Sequence, residues 1–160
     1  MNRLGAPRPS RSAPRLRSLL FVGLLCAPRV ALADVGELAL GGIAQAAWPA
    51  AGGLGLGLRW GLGDWWAADA RLIGGQNDED WLASGSLGVI FVADVTTWVP
   101  ELRLAAGGQV AAELTPQITL TAGTRVYLDR LWSLAVEAGG CWSFEQWSAL
   151  INLVLWRSLD

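Results

Sequence analysis

The side chains that could do chemistry in this 160-residue chain are carboxylates, arginines and two cysteines, because the sequence contains no histidine and no lysine. Histidine is the commonest general base in enzymes. Because the sequence has none, no Ser/His/Asp or Asp/His constellation can be assembled. Cys141 has no histidine to activate it and is interpreted as a small buried side chain. The segment 77–80, Asn-Asp-Glu-Asp, has clustered oxygen ligands of the kind that calcium binds, although a solvated loop is the favoured interpretation. We therefore expect no catalytic residues, no cofactor and no metal site.

Four acids and four arginines fall on the face of the predicted strands that also carries glycine, alanine and serine. An unpaired charge in a narrow interior would be costly, so this balance predicts an ion-pair network in the lumen of a barrel. A charge-lined pore is the alternative. Because an eight-stranded barrel has an interior only wide enough for side chains, a plugged lumen is favoured. The predicted network comprises Glu37, Arg59, Asp69, Arg71, Glu101, Arg103, Arg125 and Glu137.

These residues are positioned by strands, since apolar and small or polar residues alternate strictly at 54–60, 101–106 and 117–126. Segments rich in Gly, Pro, Asp or Asn separate the alternating stretches. An even number of strands with about 9–11 residues per span is typical of a transmembrane barrel. The predicted fold class is an all-β, antiparallel up-and-down transmembrane β-barrel of about eight strands. The predicted strands are 35–48, 52–61, 65–74, 81–92, 97–109, 116–128, 131–142 and 146–157.

A period of two does not by itself show which face points inward. A soluble, lipocalin-like barrel would place the leucines inside and the polar face in water. That polar face is too small and too weakly charged for a solvated surface, whereas glycine, alanine and serine suit a narrow lumen. The residues predicted to face lipid are Leu54, Leu56, Leu58, Leu102, Leu104, Ile118, Leu120, Leu134, Val136, Ile151 and Leu153.

All ten tryptophans follow residue 47, and nearly all of them fall at the ends of predicted strands. Indole rings prefer the membrane interface, because they combine an apolar body with one N–H donor. With the N-terminus on the periplasmic side, the rings separate into a periplasmic and an outer level; the alternative is that they cap a soluble core. The predicted interface aromatics are Trp48, Trp60, Trp66, Trp81, Trp98, Trp132, Trp142, Trp147 and Trp156, with Trp65 beside them.

The N-terminal segment has the pattern of a secretory signal: five arginines without an acid in residues 1–18, an apolar run over 19–27, and the small-x-small site Ala31-Leu32-Ala33. The apolar run is too short for a membrane-spanning helix, which needs about 20 residues. A lipoprotein signal at Cys26 is a less favoured alternative. We expect a signal peptide at 1–33 and one barrel domain at 34–160. All 14 acids but only six of the 12 arginines follow Ala33, so the mature chain has a formal charge of −8 and no basic patch for nucleic acid.

The chain resembles the small outer-membrane β-barrel proteins of the OmpA/OmpX type. The signal peptide, the glycine- and tryptophan-rich stretch 57–66, the short turn region 92–100 and the strand entry 114–120 carry this resemblance. It implies localisation in the outer membrane of a Gram-negative-type bacterium, with membrane lipid and the barrel-assembly machinery as partners. The sequence departs from the family at its C-terminus, where Trp156 is followed by four further residues, and in its short outer loops.

Two classes of function remain once catalysis is set aside. The favoured one is a structural or surface-interaction membrane protein with a plugged lumen. The alternative is a small pore-forming or transport protein, acting alone or as an oligomer. A soluble periplasmic ligand-binding barrel is a more distant third.

Overall fold

The protein folds into eight β-strands, in a computed structural model that describes residues 36–48, 51–77, 80–93, 98–111, 113–144 and 146–159. The predicted signal peptide at 1–33 lies outside these residues. The strands are β1 (Leu38–Trp48), β2 (Ala51–Gly63), β3 (Trp66–Asn77), β4 (Trp81–Val92), β5 (Trp98–Val110), β6 (Leu114–Tyr127), β7 (Trp132–Ser143) and β8 (Trp147–Ser158). Among the described residues, no helix is long and apolar enough to cross a membrane.

Each strand pairs antiparallel with its neighbours in sequence, and β1 also pairs with β8, so the sheet closes into a barrel without a free edge. The predicted all-β, eight-stranded up-and-down barrel is confirmed. Gly36 and Leu159 lie at one end of the barrel, which we call the terminal end. We call the opposite end the turn end, because the connections β1–β2, β3–β4, β5–β6 and β7–β8 lie there.

The strands differ most from the predicted ones in β3, which continues to Asn77 instead of ending at residue 74. Gly75 lies beyond the predicted end of this strand, yet it pairs with Gly53, just as Gly74 pairs with Leu54. A Cβ on Gly75 would meet the backbone of β2, so glycine here allows two strands to approach closely. The glycine pair therefore belongs to the sheet.

Alternation along each strand gives the barrel an apolar outer face. All of the residues predicted to face lipid are exposed except Leu134, which is half-buried on the same face. Leu54 exposes 73% of its surface and Leu104 exposes 57%. An apolar surface of this extent is rare on soluble monomers and suits contact with lipid tails.

Inside the terminal end, an apolar layer packs between β3, β4 and β5. It consists of Ala67, Ile90, Val92 and Val99, all nearly fully buried, with Tyr127 packed against it. Inward-facing charged residues follow this layer toward the turn end on β3 and β5, whereas Arg125 of β6 pairs directly with Val99. The barrel interior is thus divided along its axis into parts of different chemistry.

Eight of the nine predicted interface tryptophans lie on the outer face. Trp48, Trp81, Trp142 and Trp147 stand at the turn end, while Trp60, Trp66, Trp98 and Trp132 stand at the terminal end, together with Trp65. Trp66 packs edge-on against Phe91 with ring centroids 5.2 Å apart, and the guanidinium of Arg157 lies 5.6 Å from the ring of Trp132. Trp156 is the exception.

Candidate functional site

The centre of the lumen holds four charged side chains that form three acid–arginine ion pairs, and we call them the tetrad: Asp69, Arg71, Arg103 and Glu137. Arg71 donates to Glu137 through both Nη atoms, each 2.7 Å from a carboxylate oxygen, and its Nε donates to Asp69 at 2.6 Å. Arg103 Nε donates to the same Asp69 carboxylate at 2.7 Å. All four side chains are nearly fully buried. The tetrad carries no net charge.

Opposite strands supply the tetrad, which is why it spans the interior. Asp69 and Arg71 come from β3, Arg103 from β5 and Glu137 from β7. The bidentate Arg71–Glu137 pair joins residues 66 positions apart in sequence. Charge-assisted bonds of this geometry are shorter and stronger than bonds between neutral groups.

A second cluster, which we call the triad, comprises Glu101, Arg59 and Arg125. Arg59 Nη1 and Arg125 Nη2 each lie 2.9 Å from Glu101 Oε1. Two guanidinium groups therefore share one carboxylate, and the triad carries a net charge of +1. Within the described residues, Arg59 Nη2 and Arg125 Nε are buried without a hydrogen-bond partner.

The prediction that Glu37 belongs to the ion-pair network is wrong, because Glu37 forms no ion pair with any described residue. It lies one residue before β1 and is half-buried, and its backbone oxygen accepts a hydrogen bond from Gly61. Its parity points inward, but it stands beyond the end of the strand. The structure therefore joins seven of the eight predicted residues, with four arginines and three acids.

Trp156 was predicted at the membrane interface and is instead buried in the lumen, with 1% of its surface exposed. Ile151, Leu153 and Leu155 face outward on β8, so alternation turns Trp156 inward. Its ring lies 5.9 Å from the Arg71 guanidinium carbon and rests on Gly41 and Gly57. A Cβ on Gly57 would stand 2.8 Å from the indole, so only glycine leaves room for the ring there.

Uncharged polar side chains extend the tetrad, and they are not among the site residues predicted from the sequence. Thr121 Oγ1 and Asn152 Nδ2 each donate to Glu137 Oε2 at 3.3 Å, and Arg103 Nη2 donates to Ser86 Oγ at 2.9 Å. Asn152 stands between the outward residues Ile151 and Leu153. The alternation of β8 was therefore a signal that could have placed both Asn152 and Trp156 in the lumen.

A cavity of about 360 Å³ occupies the turn-end half of the lumen, and we call it the cup. Arg71, Arg103 and Asn152 line it on the side of the tetrad. Glutamine, serine and threonine side chains make up most of the rest of its polar lining. The cup and the apolar layer lie on opposite sides of the tetrad.

Within the described segments, no group of three or more histidine, cysteine, aspartate or glutamate side chains is placed to hold a metal ion. The calcium alternative at 77–80 falls largely on residues outside those segments, since only Asn77 and Asp80 are described there. Cys141 is half-buried in the cup wall, and its thiol lies 3.2 Å from Gln117 Oε1.

Comparison with known proteins finds similarity in structure but not in sequence. No protein-family model and no curated protein sequence matches the chain. The N-terminal β-barrel domain of Pseudomonas aeruginosa OprF is similar, with a TM-score of 0.66 and 12% identity over 78% of this chain and 98% of that domain. Ail, the attachment invasion locus protein of Yersinia pestis, has a TM-score of 0.53 and 9% identity over 78% of this chain and 98% of Ail.

A designed transmembrane β-barrel is similar as well, with a TM-score of 0.58 and 15% identity over 79% of this chain and 98% of the design. Because these sequence identities are low, the structural similarity shows the fold alone. Each match covers nearly the whole of the neighbouring barrel and somewhat more than three quarters of this chain. The resemblance expected from the sequence is confirmed at this level: the chain has the closed eight-stranded fold of the small OmpA/OmpX-like outer-membrane β-barrels.

Proposed function

We propose that the chain is a structural protein of the bacterial outer membrane whose lumen is closed to solutes. The observation that carries this proposal is the set of ion pairs from β2, β3, β5, β6 and β7 that cross the interior of the barrel. A solute crossing the lumen would have to break buried pairs, which is costly because each freed charge is left without its partner. Trp156 and the apolar layer occupy further interior space on the terminal side.

The proposed localisation rests on the outer surface and on the N-terminal sequence. Tryptophans at both ends of the strands and leucines between them match the two interfaces and the core of a bilayer. The signal-like segment 1–33 would route the chain to the periplasm, where the barrel-assembly machinery would insert residues 34–160. Membrane lipid is then the principal partner, and the barrel has no catalytic role.

Fractionation of cells that produce the chain tests this proposal. We expect the protein in the outer-membrane fraction, with heat-modifiable migration on a gel and an N-terminus at Asp34. A strain that lacks the protein should admit a normally excluded dye, and the wild-type gene should restore the barrier. Recovery from the soluble periplasmic fraction, or an unchanged barrier in the deletion strain, would contradict the structural role.

A second candidate function is a small pore, and the cup is the observation that favours it. A cavity of about 360 Å³ already occupies the turn-end half of the lumen. Rearrangement of the tetrad would be needed to connect it with the terminal end. Osmotic swelling of proteoliposomes in a small sugar would support this alternative, and the closed barrel predicts no swelling above that of protein-free vesicles.

A further inference from the structure

The cup has the size of a ligand pocket. Its volume of about 360 Å³ falls within the roughly 300–1,000 Å³ that is usual for small-molecule sites. It is lined by side chains from rigid strands, and a closed sheet supports these strands on all sides. The cup is therefore of a size that can hold a monosaccharide-sized molecule.

The walls of the cup offer hydrogen-bonding groups that the described residues leave free. Gln45 and Gln109 have no side-chain hydrogen bond to any other described residue, and both line the cup with Ser84 and Ser148. An amide supplies two N–H donors and one carbonyl acceptor, while a hydroxyl supplies both functions. These amides and hydroxyls can bond the hydroxyl groups of a ligand, and apolar residues of the same lining, such as Ile73, Leu82 and Leu150, can contact its carbon atoms.

The base of the cup favours negative charge. The charged residues that line it are Arg71 and Arg103, whereas their carboxylate partners Asp69 and Glu137 are not part of its lining. Arg103 donates through Nε and Nη2 to described residues, and Nη1 has no such acceptor. The seven charges of the tetrad and triad also sum to +1, so the charged groups below the cup have a small positive excess.

The base of the cup also holds Asn152, whose side-chain oxygen is buried without a hydrogen-bond partner among the described residues. Asn152 exposes 2% of its surface, and its Nδ2 donates to Glu137, a carboxylate that can only accept. This bond sets the orientation of the amide and leaves Oδ1 without a partner among the described residues. A ligand hydroxyl group is a donor of the kind that Oδ1 requires, once a small movement of the amide exposes this buried atom to the cup.

We propose that the cup binds a small hydroxylated organic anion, with its acid group on Arg103 Nη1 and its hydroxyl groups on the amides and hydroxyls of the walls. This goes beyond the structural role and does not depend on it, since a closed barrel and a conducting one would both present the cup. Recognition requires the acid group and the hydroxyl groups together, so three sugars of one size and different charge separate the possibilities: glucuronate, glucose and glucosamine.

Cys141 provides the reporter, because its thiol lies in the cup wall. The full chain carrying Cys26→Ser would be refolded in detergent and treated with methyl methanethiosulfonate, a small neutral thiol reagent. We expect glucuronate to slow modification of Cys141 several-fold, in proportion to the occupied fraction of cups. Glucose should protect less, and glucosamine should not protect.

Two controls keep the result specific. Gln109→Leu removes a wall amide and should abolish protection, while Val110→Leu, on the adjacent outward residue, should keep it. A reporter moved outside the cup, Cys141→Ser with Ala111→Cys, should react at the same rate with and without glucuronate. Heat-modifiable migration would show that each variant is folded.

Several outcomes would overturn the proposal. One is that the reagent fails to modify Cys141, and another is that no sugar slows the modification. The others are that the three sugars protect Cys141 equally, or that protection by glucuronate persists in Gln109→Leu. The readout is independent of membrane residence and of solute flow. Failure here is therefore distinct from failure of the proposed structural function.

Discussion

Asp69 is the residue on which the interior charge balance of the tetrad depends most. Its carboxylate accepts hydrogen bonds from both Arg71 and Arg103, and its side chain is completely buried. No other acid in the tetrad lies between the two arginines in this way. The neighbouring Gly88 leaves room for the carboxylate, since a Cβ there would lie 2.5 Å from Oδ1.

Asp69→Asn should destabilise the barrel strongly, because it keeps the volume and removes the charge between two guanidinium groups. Breaking a buried ion pair by removing one partner costs about 3–5 kcal/mol. Urea unfolding of the refolded protein in detergent, followed by tryptophan fluorescence, measures this loss. Glu113→Gln makes the same chemical change at an exposed turn residue and should alter stability by less than about 0.5 kcal/mol. Equal midpoints for the two variants would show that the tetrad is dispensable for folding.

Trp156 should contribute more to stability than a tryptophan on the outer face. Trp156→Ala empties the space above Gly41 and Gly57 and removes the contact with Arg71, at a cost of about 3–5 kcal/mol. Trp147→Ala deletes a ring that is more than half exposed and should cost less. The same unfolding assay compares them. A larger loss at Trp147 would mean that Trp156 is not packed in the lumen.

At the level of single residues, alternation along a strand predicts whether a side chain faces the lumen or the outside better than its chemical type does. Arg59, Arg71, Arg103 and Arg125 share inward parity and lie in the lumen. Trp156 was misplaced because its residue type and its position near a strand end outweighed the alternation of β8. The pairing of acids with arginines could not be predicted, since it depends on the stagger between strands that are far apart in sequence.

At the scale of elements, one strand position separates lipid from the polar interior. Thr119 is buried and lines the cup, while the next residue of β6, Leu120, lies on the outer face. A shift of register by one residue would exchange the two faces of the entire strand. Neighbouring positions on one strand therefore test the orientation of the sheet.

Spin labels at Thr119 and Leu120 should behave in opposite ways. In lipid vesicles, a label at Leu120→Cys should relax with dissolved oxygen and be shielded from a water-soluble nickel complex. A label at Thr119→Cys should show the reverse, because the cup is polar and opens at the turn end. Both labels require a background with Cys26→Ser and Cys141→Ser. Exchanged profiles would indicate an inside-out, soluble barrel.

The strands themselves were largely predictable from the sequence, because leucine alternates with small residues over long stretches such as β2 and β6. The ends of the strands were less predictable. Gly74 and Gly75 have the composition of a turn, but they continue β3 because the neighbouring backbone approaches too closely for a side chain. Such an approach is a property of the assembled sheet and is not encoded in a local pattern.

At the scale of the whole molecule, the barrel combines a continuous sheet with an interior divided along its axis. The pairing of β1 with β8 removes every exposed strand edge, as a span through lipid requires. The apolar layer, the ion-pair network and the cup then follow one another from the terminal end to the turn end. This order predicts a barrel that solutes enter from one end and do not cross.

Single-channel recording from the purified monomer in a planar bilayer shows whether ions can cross the barrel. The proteoliposomes fused to the bilayer should first be shown to contain inserted, heat-modifiable protein. The closed lumen predicts no steady current above the bare bilayer at either polarity, because the buried pairs of the tetrad and triad cross the path of an ion. Stable, ohmic channels from the wild-type monomer would contradict the closed barrel and establish the pore.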